Sequence, residues 1–205
     1  MQSQAGATAL ARRRAAAADE DASTPAWAAD ARLSGRRLSR SGVGDRLVSD
    51  QTADGRPLKI LTVTDEHTRE ALATPAARRM GADDTVNVLE QIVERRGRAP
   101  ELIRCDNGPE FVSQALRDWC RFAGTSTGYI EPGAPWQNPY IESFNGHLRR
   151  ELLEMESFNS LYEAQLLLED WRLEYNHYRP HQSLSYQTPA EYAHQWRSDN
   201  QPELS

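Results

Sequence analysis

Between Leu47 and Ile130 two hydrophobic periods alternate in a set order, and that order admits few architectures. Leu58-Lys59-Ile60-Leu61-Thr62-Val63-Thr64 is an apolar, β-branched run, and the Asp54-Gly55 pair before it is a hairpin turn signal. A shorter strand over 47–51 feeds that turn, and 70–77 reads as a third strand. A helix follows, opened by Asp83 and Asp84 and closed by Gly97, with Val86, Leu89 and Val93 on one face. Residues 101–106 form a short strand ending at an acid. Val112, Ala115, Trp119 and Phe122 then recur at helical spacing up to Gly124. A strand over 126–130 leads into a loop rich in Pro and Gly, residues 131–139. Two long helices close the chain, one carrying Ile141, Phe144, Leu148 and Leu152, the other Leu161, Ala164, Leu168, Trp171 and Tyr175. The expected fold class is α/β, a mixed sheet flanked by helices with a helical C-terminal extension.

Composition narrows the classes further. No run of about 18 apolar residues is present, so no membrane span is expected. Arg12, Arg13 and Arg14 are not followed by an apolar block, which excludes a secretory signal. Cys105 and Cys120 are too few for a disulfide framework and fit a reducing, cytoplasmic setting. The net charge of −6 argues against gripping nucleic acid by bulk electrostatics. Residues 1–44 hold seven arginines against four acids, a net of +3 that leaves −9 on the remainder. That first segment is rich in Ala, Arg, Ser and Gly and is read as disordered or non-homologous. The expected division is 1–44, a core over 45–157, and a helical extension over 158–205.

Two acids stand out. Asp106 ends a strand, where ligands of open sheets gather, although an Asp there also caps the helix that follows. Glu142 lies in the first turn of a helix, where the helix dipole alone would favour it. Glu142, Asn145 and Arg149 fall at i, i+3 and i+7, so a carboxylate, an amide and a guanidinium share one stripe. Thirty-five residues separate Asp106 from Glu142, and their flanks read DNGPEF and PGAPWQNPYIESFNGHLRREL.

These motifs, with DGRPLKILTVTDEHTRE before them and YNHYRPHQSLSYQTPAEY after, resemble the integrase-like catalytic core of bacterial insertion-sequence transposases. That family is related to retroviral integrases and has a ribonuclease-H-like fold. The resemblance runs from about Val48 to Trp196. It implies metal-dependent cleavage and strand transfer on transposon ends and target DNA. It also implies multimers on paired ends and a separate helix-turn-helix module. Three acids in the family hold two Mg²⁺ or Mn²⁺ ions, which activate the attacking oxygen and stabilise the leaving one. Hard cations prefer carboxylate oxygens, and clustered carboxylates repel one another until such ions neutralise them. By resemblance Asp106 and Glu142 are the second and third acids.

The first acid is out of place. Ungapped counting back from Asp54-Gly55 sets Arg46 at its position, with Asp45 one residue out of step. A one-residue shift on a strand turns a side chain to the opposite face, so Asp45 serves as a ligand only through a bulge or a register slip. The sequence therefore reads as a damaged gene copy with a shifted or chimeric start before about Leu47, the bulged strand being the alternative. Function follows as an impaired transposase core, or as an inactive remnant that binds DNA or joins mixed multimers as an inhibitor.

Other residues carry lesser expectations. Asp65 is a turn or hydrogen-bonding residue rather than a ligand. Arg149, Asn145, Trp136 and Asn138 are candidate DNA contacts, with Arg150, Gln137 and Tyr140 beside them. Tyr175, Asn176, Arg179, Pro180 and His181 belong to the C-terminal motif and are read as docking the tail onto the core. His67 and His147 read as surface residues, and Cys105 as facing the core.

Overall fold

The structure, a computed structural model, describes residues 42–105, 113–129 and 139–200. The first hairpin pairs β1 (Gly42–Gln51) with β2 (Pro57–Asp65) in antiparallel register, unbroken from Val43 opposite Asp65 to Gln51 opposite Pro57. β1 is thus longer than its sequence pattern, beginning at Gly42 rather than Leu47. Gly55 adopts the left-handed φ of 77° that the turn requires. The single strand expected over 70–77 is two pieces, β3 (Ala71–Ala73) and β4 (Ala76–Ala77), both antiparallel to β2. Pro75 interrupts them: it has no N–H to donate, and its carbonyl accepts from Leu61 N at 3.0 Å.

Helix α1 (Ala82–Arg96) stops at Gly97, and β5 (Leu102–Cys105) then runs parallel to β1. Helix α2 (Gln114–Ala123) leads to β6 (Ser126–Tyr129), parallel to β5. The sheet order is β3-β2-β1-β5-β6, with β4 also on β2. Helix α3 (Pro139–Leu148) continues into a π-helical turn, Arg149–Leu153, where Glu154 N reaches back to Arg149 O at 2.8 Å. Helix α4 (Leu161–Tyr178) follows, and a third closing helix, α5 (Pro189–Asp199), was not anticipated. Its signal is explicit, for Thr188 and Glu191 form a capping box and Pro189 sits at the helix start.

Alternation along the strands builds two cores. Leu58 and Ile60 of β2 and Val48 of β1 pack on Ile141, Phe144, Leu148, Leu152, Leu168 and Trp171, the α3 and α4 face. Leu61 and Val63 of β2 and Val43 of β1 pack on Leu89, Ile92, Leu116 and Cys120, the α1 and α2 face. Two helical faces differ from expectation. On α1 the buried residues are Thr85, Leu89 and Ile92; of the expected Val86, Leu89 and Val93 face, Val86 packs half-buried on the same core and Val93 does not join it. On α2 they are Leu116 and Cys120, while Phe122 is 88% exposed. No described helix is long and apolar enough to cross a membrane.

Candidate active site

The two-faced packing decides where each candidate side chain goes. Val43, Asp45 and Leu47 point to the α1 and α2 face, and Arg46 and Val48 to the α3 and α4 face. Arg46 Nη1 accordingly donates to Glu142 Oε1 at 2.7 Å across 96 residues of sequence, both side chains half exposed. Glu142 sits in the first turn of α3, as expected. Thr62 on β2 steadies the strand here, its hydroxyl donating to Arg46 O at 3.1 Å.

Asp45 lies elsewhere. It is fully buried, its Cα pairs with Val63 on one side and Cys105 on the other, and neither pairing is shifted. Burial, and then the Asp45 carboxylate, push the Cys120 thiol up to about 11, which sets that carboxylate beside α2. The bulge that would carry Asp45 to the Glu142 face is absent from the β1–β2 register. Cys105 is buried in the α1 and α2 core, as its position before Asp106 implied. Asp106, Trp136, Gln137 and Asn138 lie outside the described residues.

Beside Glu142, Asn145 is 7% exposed, and neither Oδ1 nor Nδ2 has a hydrogen-bond partner among the described residues. Arg149, a further turn along, is exposed. The π turn carries Glu151 toward the tail, where it accepts from Trp171 Nε1 at 3.2 Å, meets His147 Nδ1 at 3.0 Å and pairs with Arg179. Burial works to raise the Glu151 pKa, but the His147 hydrogen bond and the Arg179 and His147 charges outweigh it and hold it below the ordinary carboxylate range. His147 is therefore half buried in an ion-pair cluster rather than a surface residue. His67 is likewise half buried, edge-on to Tyr192 and Trp196. Asp65 does act as a turn residue, accepting from His67 N at 2.9 Å and Thr68 N at 3.0 Å, and from Arg96 at 2.6 Å.

The C-terminal motif docks onto the core. Asn176 binds both backbone groups of Ala71, accepting from N at 2.8 Å and donating to O at 3.0 Å. His181 stands edge-on to Tyr175 at 5.1 Å. Burial, then the charge of Arg179, pushes the His181 pKa from 6.5 down to about 4. A depressed imidazole pKa means the unfolded chain takes the proton first, so stability is whole above about 6.5 and falls as pH drops toward 4. Urea melts at about pH 7.5 and about pH 5 should show this loss, and His181→Gln should shrink it. An equal loss in both proteins would assign it elsewhere; Glu151 acts only at lower pH, since its own pKa is depressed.

Comparison with known proteins agrees with this architecture. Two family descriptions, both "Integrase core domain", match residues 40–135 and 123–189. A protein of insertion element IS476 from Xanthomonas euvesicatoria is 42% identical over 151 residues, 74% of this chain and 43% of that protein. One of IS407 from Burkholderia multivorans is 38% identical over 151 residues, 74% of this chain and 54% of that protein. The chain thus spans about half the length of these relatives. Among solved structures, the HTLV-2 integrase catalytic core domain in complex with magnesium, in a trimeric form, superposes with a TM-score of 0.58. That likeness covers 76% of this chain and 97% of the viral one at 16% identity, and it shows a shared ribonuclease-H-like fold. The sheet order, the helix that presents Glu142 and the matched insertion-element sequences together place the chain in the integrase-core family of insertion-sequence transposases.

Proposed function

We propose that this transposase core engages DNA but has its divalent-cation site closed by Arg46, so that strand transfer is impaired. The observation that carries the reading is the 2.7 Å pair between Arg46 and Glu142, a guanidinium where a cation would have to sit. Three acids holding Mg²⁺ or Mn²⁺ would need carboxylates converging on the Glu142 face. The described residues do not fit that requirement, because Arg46 brings positive charge to the face and Asp45 points away from it. No group of three or more His, Cys, Asp or Glu side chains among the described residues is arranged to hold a metal ion. Asp106 and Glu142 are the two carboxylates the proposed site retains.

DNA contact is assigned to Arg149 and Asn145, with Trp136 and Asn138 shortly before them in sequence. The buried amide of Asn145, without a hydrogen-bond partner among the described residues, supports this, since a buried amide left so costs about 1–3 kcal/mol that a bound ligand would recover. Asn145→Leu should accordingly raise stability by about 1 kcal/mol while weakening DNA binding. A destabilised variant with unchanged binding would remove Asn145 from the interface.

The reading extends to transposon ends and target as DNA partners, a homo-multimer, a separate helix-turn-helix module and a cytoplasmic location. The test is Mg²⁺-dependent strand transfer on a branched oligonucleotide. The chain as written should match Glu142→Gln, both inert, and should inhibit an intact relative by joining its multimers. Transfer by the unaltered chain that disappears in Glu142→Gln would overturn the closed site.

A further inference from the structure

A second group of arginines lies at the other end of the sheet. Asp65, where β2 ends, pairs with Val43, three residues and about 10 Å along β1 from Arg46. There the end of α1 and one face of α5 enclose a cavity of about 330 Å³ lined by His67, Arg95, Arg96, Arg98, Trp196 and Arg197. Its floor is neutralised, because Arg96 pairs with Asp65 at 2.6 Å and Glu70 at 2.5 Å. Its rim is not. Arg197 reaches Glu70 only at 3.4 Å. Arg95 donates to backbone carbonyls of Gln91 and Leu72. Arg98 lies over the Trp196 ring at 4.8 Å. Neither Arg95 nor Arg98 has an ion pair among the described residues.

Arginines in the last turn of a helix complement its dipole, and that accounts for Arg95 and Arg96. It does not account for Arg98, which follows the terminating Gly97; Arg197, in the last turn of α5, complements the dipole of that helix. A rim with more arginines than acids on a chain of net charge −6 is a local reversal of sign. The Trp196 indole adds an aromatic surface beside a guanidinium and His67, whose Nε2 is buried without a hydrogen-bond partner among the described residues.

We infer that this cavity is a second nucleic-acid contact, in which Arg98 and Arg197 take a backbone phosphate and Trp196 a base or sugar face. The guanidinium forks match phosphate oxygens, and an indole face stacks on any base. The volume suits one nucleotide unit rather than a folded partner. The inference rests on the proposal that the core works on DNA, and it adds a contact remote from Glu142, suited to DNA flanking the reacting end.

The test uses the full chain and a fluorescent DNA of arbitrary sequence, single-stranded and duplex, followed by anisotropy across a salt series. The exposed double variant R98S/R197S should bind about 10-fold more weakly, with the slope of log K against log salt lowered by about one. Phenylglyoxal footprinting of the unaltered chain should show Arg98 and Arg197 protected by DNA, which needs no variant to fold. If DNA does not bind the unaltered chain at all, the DNA-engaging reading fails and the cavity with it. If DNA binds, Arg149→Ser weakens it, and neither the double variant nor the footprint responds, the cavity proposal alone is overturned. Binding of polyglutamate, lost in the double variant while DNA binding persists, would overturn it in favour of an acidic protein segment.

Discussion

Arg46→Asp is expected to give a chain that cleaves and joins branched DNA in Mg²⁺, a gain on the order of 10²-fold or more over the unaltered chain. The substitution changes the sign of the charge beside Glu142, where Arg46 now stands at 2.7 Å. Two carboxylates on the same face would repel one another in the absence of a cation. The variant should therefore be less stable than its parent without metal and should regain stability with Mn²⁺. At 100 times the dissociation constant that recovery is about 2.7 kcal/mol. The parent should show neither effect. Arg46→Ala separates removal of the guanidinium from supply of an acid, and it should leave strand transfer undetected. Adding Glu142→Gln to Arg46→Asp should abolish both the activity and the Mn²⁺ response. A variant that melts at the same temperature with and without Mn²⁺ would show that position 46 is not at a cation site.

The largest loss of stability is expected from Phe144→Ala. Phe144 is 1% exposed, two residues past Glu142, and its ring stands edge-on to Trp171 at 5.3 Å and to Tyr175 at 4.9 Å. Truncation removes a large aromatic from the packing between α3 and α4 and leaves a cavity, for a cost of about 3–5 kcal/mol. For a domain of this size that lowers the melting temperature by roughly 10 °C. Phe122→Ala is the matched control, since Phe122 is 88% exposed and its loss should fall within about 0.5 kcal/mol of zero. Equal losses at the two positions would contradict the packing described for α3.

Those two phenylalanines also show what a linear reading can and cannot extract. Ile141, Phe144, Leu148 and Leu152 recur at a period that survives even the π turn, and all four are buried. On α2 the same rule selects Trp119, which packs half-buried on the core, and Phe122, which is exposed, and passes over the buried Leu116 and Cys120. Periodicity marks that a helix has a face; neighbouring elements choose among adjacent stripes. Thr85 of α1 is a similar case, buried because its hydroxyl bonds Gly81 O at 3.1 Å within the helix. The first half of β1 was illegible because Gly42, Gly44 and Asp45 have little strand preference, and pairing with β2 and β5 overrides it. Helix α5 is legible in the capping box of Thr188 and Glu191, a signal that hydrophobic periodicity alone does not register. At the candidate site, strand alternation alone placed Arg46 and Asp45 on opposite faces, whereas the Glu151 cluster, assembled from α3, α4 and the segment after it, had no local signal.

The double hydrogen bond between Asn176 and Ala71 has an implication for dissecting the protein. Its amide imitates a neighbouring strand along the open border of the sheet, and Gln165 and Arg172 cap carbonyls of Ala76 and Ala71 nearby at 2.8 and 2.9 Å. A fragment ending before α4 would present that border bare, as a template on which further copies could stack. The tail thus covers the border, and shortening the chain to a minimal core should leave it open to unplanned strand pairing between copies.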